Sequence, residues 1–190
     1  MKLNIKKISA DRAFNELFLI VAGMIFMTLM AYKKIPIPLI ASQMSLQSLS
    51  ISILVIALGK KAYWVVLLYL MLATLGFSIL AEGTANPEWY FSRSAGYYIG
   101  FLLSSYCLAK ILIAKTPKNY FNAWLVFSVN ESLILLCGYS VLSFYLGPIQ
   151  AWWIGVWPYI MGAFLKITIA TCLYWMLIMQ QRKKLIESHK

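Results

Sequence analysis

Apolar residues fill long stretches of this chain on all sides of a helical wheel, and polar residues gather in short clusters between them. Six runs stand out, at 15–31, 44–58, 62–80, 95–114, 123–146 and 151–179. A helix rising ~1.5 Å per residue needs roughly 20 residues to cross ~30 Å of hydrocarbon. The pattern therefore predicts an all-α membrane protein with six transmembrane helices, the second of them short for a crossing. Ahead of that second run, "KKIPIPLIASQM" carries Pro36 and Pro38, which oppose a continuous helix, so Ile35 to Gln43 is expected to be extended or partly re-entrant. Such backbone persists at membrane depth only against protein or a wet cavity. No Pro-, Gly- or Ser-rich linker, low-complexity tract or internal repeat divides the chain, so residues 1–190 read as a single membrane domain.

Composition narrows the class. With 62% of residues hydrophobic and 12% charged, the chain is too apolar for a soluble domain, whose helices would need polar outer faces. The basic start and the apolar stretch from Leu17 to Ala31 invite comparison with a secretory signal peptide. That stretch is long for a signal peptide and no small-residue cleavage site follows it, so it reads as a retained first span.

The formal net charge of +11 raises the question of nucleic-acid binding, but the basic residues form no recognisable nucleic-acid-binding module. They report topology instead. With both termini cytoplasmic, the inside receives Lys2, Lys6, Lys7, Arg12, Lys60, Lys61, Lys110, Lys115, Lys118, Arg182, Lys183, Lys184 and Lys190, and the outside only Lys33, Lys34 and Arg93. This positive-inside bias predicts an even number of spans, with both ends cytoplasmic, in the cell (inner) membrane.

Catalysis finds little support. No P-loop occurs, and the lone histidine, His189, lies in the polar C-terminal tail, which removes His-based zinc sites and a Ser-His dyad within the membrane. Cys107, Cys137 and Cys172 fall in apolar runs, where cysteines act as small buried hydrophobes. No catalytic residue, cofactor or metal site is expected.

Two ionisable residues lie well inside spans, Glu131 in "FSVNESLILL" and Lys166 in "PYIMGAFLKI". Each costs ~2.5 to 3.5 kcal/mol to bury on insertion scales, so each requires a partner or a cavity. Lys166 lies ~20 Å by helical rise from either end of the run 151–179, too deep to snorkel easily to an interface. It can pair with Glu131, or it can receive a ligand anion, whose carboxylate would gain ~4 kcal/mol at 4 Å with an effective dielectric near 20. The ligand reading is preferred because the outer connection "LAEGTANPEWYFSRSAGYYIG" brings Asn86, Trp89, Tyr90, Arg93 and Tyr97 to the same side. An interfacial aromatic belt is the plain alternative for that loop.

Four segments in order resemble the S components of energy-coupling-factor transporters, and among them the biotin-binding BioY proteins. The family pattern runs T-L-Q-T-L, Y-L-x-L-G-x-x-G-L-P, T-x-G-Y-L-I-G-F and P-F-x-x-G-D-x-x-K. This chain has "SLQSL" at Ser45 to Leu49, "YLMLATLGFS" at Tyr69 to Ser78, "SAGYYIGF" at Ser94 to Phe101 and "PYIMGAFLK" at Pro158 to Lys166. It departs from the pattern at Ala163, where the family has Asp, at Ala73 in place of Gly, and near Ala41 and Gln43, where flanking prolines are absent.

The resemblance implies biotin uptake, with substrate captured at the outer face and carried inward by a membrane coupling protein and two ATPases. It implies that Lys166 and Arg93 engage the biotin carboxylate or organise the outer loop. With Ala163 in place of the Asp that would accept from the ureido ring, Asn86, Gln47 and Asn130 are the candidate acceptors, with Tyr97 beside them. The family's partner surface uses small residues at four-residue spacing on the first span, which here reads Ala22, Gly23 and Ala31 with Met27 between. Solitary uptake, another small carboxylate vitamin, and a non-transport membrane assembly protein are the competing readings. In the last of these, Lys166 and Glu131 would form only an internal ion pair.

Overall fold

Helix α1, Lys2–Tyr32, opens a computed structural model that describes residues 2–36 and 43–188. Two three-residue strands follow, β1 (Lys34–Pro36) and β2 (Gln43–Ser45), paired antiparallel with Lys34 opposite Ser45. The expected extended segment thus begins and ends in a small ribbon, and 37–42 lie outside the described residues. Six further α-helices complete the described chain: α2 (Gln47–Leu58), α3 (Lys61–Thr74), α4 (Ala95–Ala114), α5 (Tyr120–Leu146), α6 (Pro148–Gly155) and α7 (Trp157–Ser188).

Four stretches are long and apolar enough to cross a bilayer, Phe14–Tyr32, Ala95–Ala114, Tyr120–Leu146 and Trp157–Gln180, which makes this a membrane protein. Helices α2 and α3 are apolar but short, 12 and 14 residues. The run 62–80 is helical only to Thr74, and the run 151–179 is divided at Val156 between α6 and α7. Pro158, in the first turn of α7, explains that division, because proline is accommodated where a helix begins and opposed within it.

The distribution of side chains is inverted relative to a soluble protein. Phe14, Phe18, Phe144, Ile149 and Met176 are exposed to the lipid side, while Gln47, Ser48, Ser50, Ser52, Asn130, Glu131 and Lys166 are buried. Cys172, expected among the buried hydrophobes, is exposed on this lipid-facing surface, and Cys107 and Cys137 are half-buried. Tyr69, Phe127, Met27 and Ile51 form the apolar centre. Gly96 lets α4 lie directly on α5, since a Cβ there would collide with the Cys137 carbonyl. At the start of α5, Asn119 caps the helix by accepting from the Asn122 N–H at 2.8 Å.

The connection 75–94 folds back over the helix ends. Tyr69 donates to the Ile79 carbonyl at 2.7 Å, Trp89 Nε1 donates to Thr74 Oγ1 at 2.9 Å, and Tyr32 of α1 donates to the Ser78 carbonyl. On α1, Gly23, Met27 and Ala31 face inward, with Gly23 against Leu54 and Val65, and Ala22 is exposed. Gly23 and Ala31 of the small-residue series therefore pack inside the protein, because their spacing follows the buried stripe of the helix, and Ala22 lies off that stripe.

Candidate functional site

Helix α2 supplies the polar wall of an internal cavity. Ser48 and Ser52 lie one turn apart and share a face. Lys166 Nζ on α7 donates to Ser48 Oγ at 2.7 Å, and Asn130 Nδ2 on α5 donates to Ser52 Oγ at 3.2 Å. One turn of serines thereby joins α2 to both α5 and α7 without placing a bulky group between them.

Lys166 also faces Glu131, with Nζ 3.7 Å from Oε2. The two residues are 7% and 3% exposed, so snorkelling to an interface is excluded. The division at Val156 also brings Lys166 to about 13 Å from the first residue of α7, shallower than the ~20 Å expected from an unbroken run.

The separation of the charges matters chemically. N–H···O hydrogen bonds fall at about 2.7 to 3.2 Å, so the Lys166–Glu131 contact is Coulombic and leaves the hydrogen-bonding capacity of both groups largely unused. An ammonium has three donors, and the hydrogen bond to Ser48 occupies one. Among the described residues, Glu131 Oε1 and Asn130 Oδ1 have no hydrogen-bond partner. A buried acceptor left unpaired costs about 1 to 3 kcal/mol, which a ligand bearing N–H groups would recover.

Such a ligand has space. A cavity of about 170 Å³ is lined by Glu131, Lys166 and Ala163 at one part of its wall and by Ser45, Ala81 and Ser94 at another. Gln47, Ser48, Tyr97, Tyr98, Phe101 and Tyr159 complete the polar and aromatic lining, with Ile134 and Leu135 from α5. Two of these side chains are locked from behind. Gln47 Nε2 donates to the Tyr69 hydroxyl at 2.6 Å, and the Tyr97 hydroxyl donates to the Gly155 carbonyl at 2.6 Å. The latter bond ties the cavity wall on α4 to the break between α6 and α7.

A model of the BioY family matches residues 3–183. The chain belongs to the BioY family. A solved structure described as the S-component for biotin from an ECF-type ABC transporter is similar at TM-score 0.73 and 22% identity. The likeness covers 88% of this chain and 92% of that one, and at this identity it is a likeness of fold. No curated protein matches the sequence.

Within this BioY fold the residues anticipated from sequence divide into two groups. Lys166, Gln47 and Tyr97 line the cavity. Asn130 is buried beside it and bound to Ser52, outside the lining. Arg93 is exposed and Asn86 half-buried in the 75–94 connection, and neither lines the cavity. Sequence reasoning did not single out Ser48, Ser94, Tyr98 or Tyr159, and it treated Glu131 as a partner for Lys166 rather than as part of the wall. The serines of "MSLQSLSIS" were the available signal, since four polar side chains on one short apolar helix require an internal polar surface. Among the described residues no cluster of His, Cys, Asp and Glu could hold a metal ion. His189 lies outside the described residues.

Proposed function

We propose that this protein captures biotin in the cavity between α2, α4, α5 and α7 and delivers it into the cell as the S component of an energy-coupling-factor transporter. It is a transport component and not an enzyme. The observation that carries the reading is the loose Lys166–Glu131 pair on the cavity wall of a BioY protein. Biotin combines a carboxylate with a ureido ring, which carries two N–H donors and a carbonyl. Lys166 has spare donors for an oxygen, and Glu131 has a spare acceptor for an N–H. Glu131 thereby compensates for Ala163, the position where the family pattern has its carboxylate. Gln47, Tyr97, Asn130, Asn86 and Arg93 join Lys166 in the proposed binding set, the last two by closure of the outer connection over the ligand.

The six runs from 15–31 to 151–179 serve in this reading as the crossings of a multi-pass inner-membrane protein with cytoplasmic ends. The distribution of lysine and arginine between connections supports it. The chain has no P-loop, so energy enters through a coupling protein and ATPase subunits.

The test is binding of labelled biotin to the purified protein, with uptake measured in cells that lack other biotin routes and contain the coupling module. Saturable binding that is lost in Lys166→Ala is expected. Lipoic acid, which has a carboxylate tail and no ureido group, should fail to compete. Competition by lipoic acid as strong as by biotin would overturn the ureido assignment, and wild-type protein that neither binds nor imports biotin would overturn the function.

A further inference from the structure

A second concave surface lies on the other face of α4 from the biotin cavity. The cavity takes Tyr97, Tyr98 and Phe101, whereas a groove of about 640 Å³ between α3 and α4 takes Ile99, Leu102, Leu103, Tyr106 and Lys110. Those five positions recur with the helical period and form one stripe. From Ile99 to Lys110 the stripe rises about 16 Å, close to half of a ~30 Å hydrocarbon core and hence to the depth of one leaflet.

The charged end of the groove is organised. Lys60, just before α3, and Lys110, near the end of α4, both line it. The Lys110 ammonium sits 4.4 Å from the centroid of the Tyr106 ring, a cation–π contact that holds it at the groove mouth. Tyr63 packs edge-on against Tyr106 at 6.0 Å and against Trp64 at 5.5 Å, so the aromatic wall is continuous. The ion pairs among residues whose side chains are described are Lys61–Glu16 and Lys166–Glu131, and Lys60 and Lys110 belong to neither.

An occupant must therefore be apolar along the depth of one leaflet and anionic at one end. We propose that this groove binds an anionic phospholipid, with its phosphate between Lys60 and Lys110 and an acyl chain along Ile99, Leu102 and Leu103. Basic pockets between transmembrane helices suit such headgroups, and the aromatic side chains suit the interface. A free phosphate would use only the lysine end.

Native mass spectrometry of the full chain, released from detergent with equimolar phosphatidylglycerol and phosphatidylcholine of matched chains, tests this. One phosphatidylglycerol should be retained in preference to phosphatidylcholine. The Lys60→Gln/Lys110→Gln variant should weaken that retention by roughly 30-fold, at the scale expected for two lysines near a lipid surface. Leu103→Trp should weaken it by filling the groove with both lysines intact. Lys118→Gln, off the groove, should leave it unchanged, and equal thermal unfolding midpoints would certify that each variant is folded. Equal retention of the two lipids, or unchanged retention in both groove variants, would overturn the proposal. Full displacement by millimolar inorganic phosphate would overturn it too, by identifying a simple anion site.

Discussion

Lys166 on α7 and Glu131 on α5 face each other at 3.7 Å, and they do so beside a cavity rather than within close-packed protein. At this distance and an effective dielectric near 20 the attraction is about 4 kcal/mol, comparable with the cost of burying the pair. Removing one partner therefore harms the protein more than removing both. Lys166→Met or Glu131→Leu alone should destabilise the fold by roughly 3 to 5 kcal/mol, because each strands a buried charge. The double variant should recover most of that loss in detergent unfolding experiments while failing to bind biotin. A double variant that binds biotin normally would remove the pair from the site.

Ser48 tests the same centre from α2. Its hydroxyl accepts the one hydrogen bond that the Lys166 ammonium makes among the described residues. Ser48→Ala deletes a charge-assisted bond worth about 1.5 to 3 kcal/mol. The expected result is a lower unfolding midpoint together with biotin affinity reduced about tenfold or more, read by equilibrium binding. Unchanged affinity alongside a lowered midpoint would confine Ser48 to a structural role.

The apolar runs were readable because hydrocarbon demands long uninterrupted helices, and α4 and α5 follow them closely. The division at Val156 was less visible, since α6 is as apolar as its neighbours and only Pro158 marks the restart. The buried position of Lys166 followed from its surroundings in sequence, and Glu131 was one of the two partners considered for it, but Ser48 was not visible. Ser48 and Glu131 are brought to it by the packing of three helices, and no spacing along the chain encodes that contact. The α1 series, interrupted by Met27, was ambiguous for a related reason: small residues at four-residue intervals allow close helix approach equally to α2 and α3 inside the protein or to a partner outside it.

Arg93 provides a separate prediction because it is exposed and away from the cavity wall. Exposed substitutions away from special features change stability by about 0.5 kcal/mol or less. Arg93→Ala should therefore leave the unfolding midpoint unaltered. If the outer connection closes over biotin, the same variant should release bound biotin faster with a nearly constant association rate, as measured by stopped-flow or surface binding. Unchanged association and dissociation rates would remove Arg93 from the binding set.

Packing behind the cavity yields the last prediction. The ring of Tyr97 lies over Gly138 of α5, and a Cβ at that glycine would overlap the ring. The Tyr97 hydroxyl is held by the Gly155 carbonyl at 2.6 Å, so the ring cannot retreat without breaking that bond. Gly138→Ala should consequently destabilise by about 1 to 3 kcal/mol, as overpacking does, and should weaken biotin binding by displacing Tyr97 from the wall. Replacing the ring separates this cause from helix–helix repulsion. In a Tyr97→Leu background the smaller side chain leaves room for the methyl group, so the added cost of Gly138→Ala should fall below about 1 kcal/mol. Strictly additive costs in the double-mutant cycle would show that the alanine acts on α4–α5 backbone spacing, with Tyr97 uninvolved.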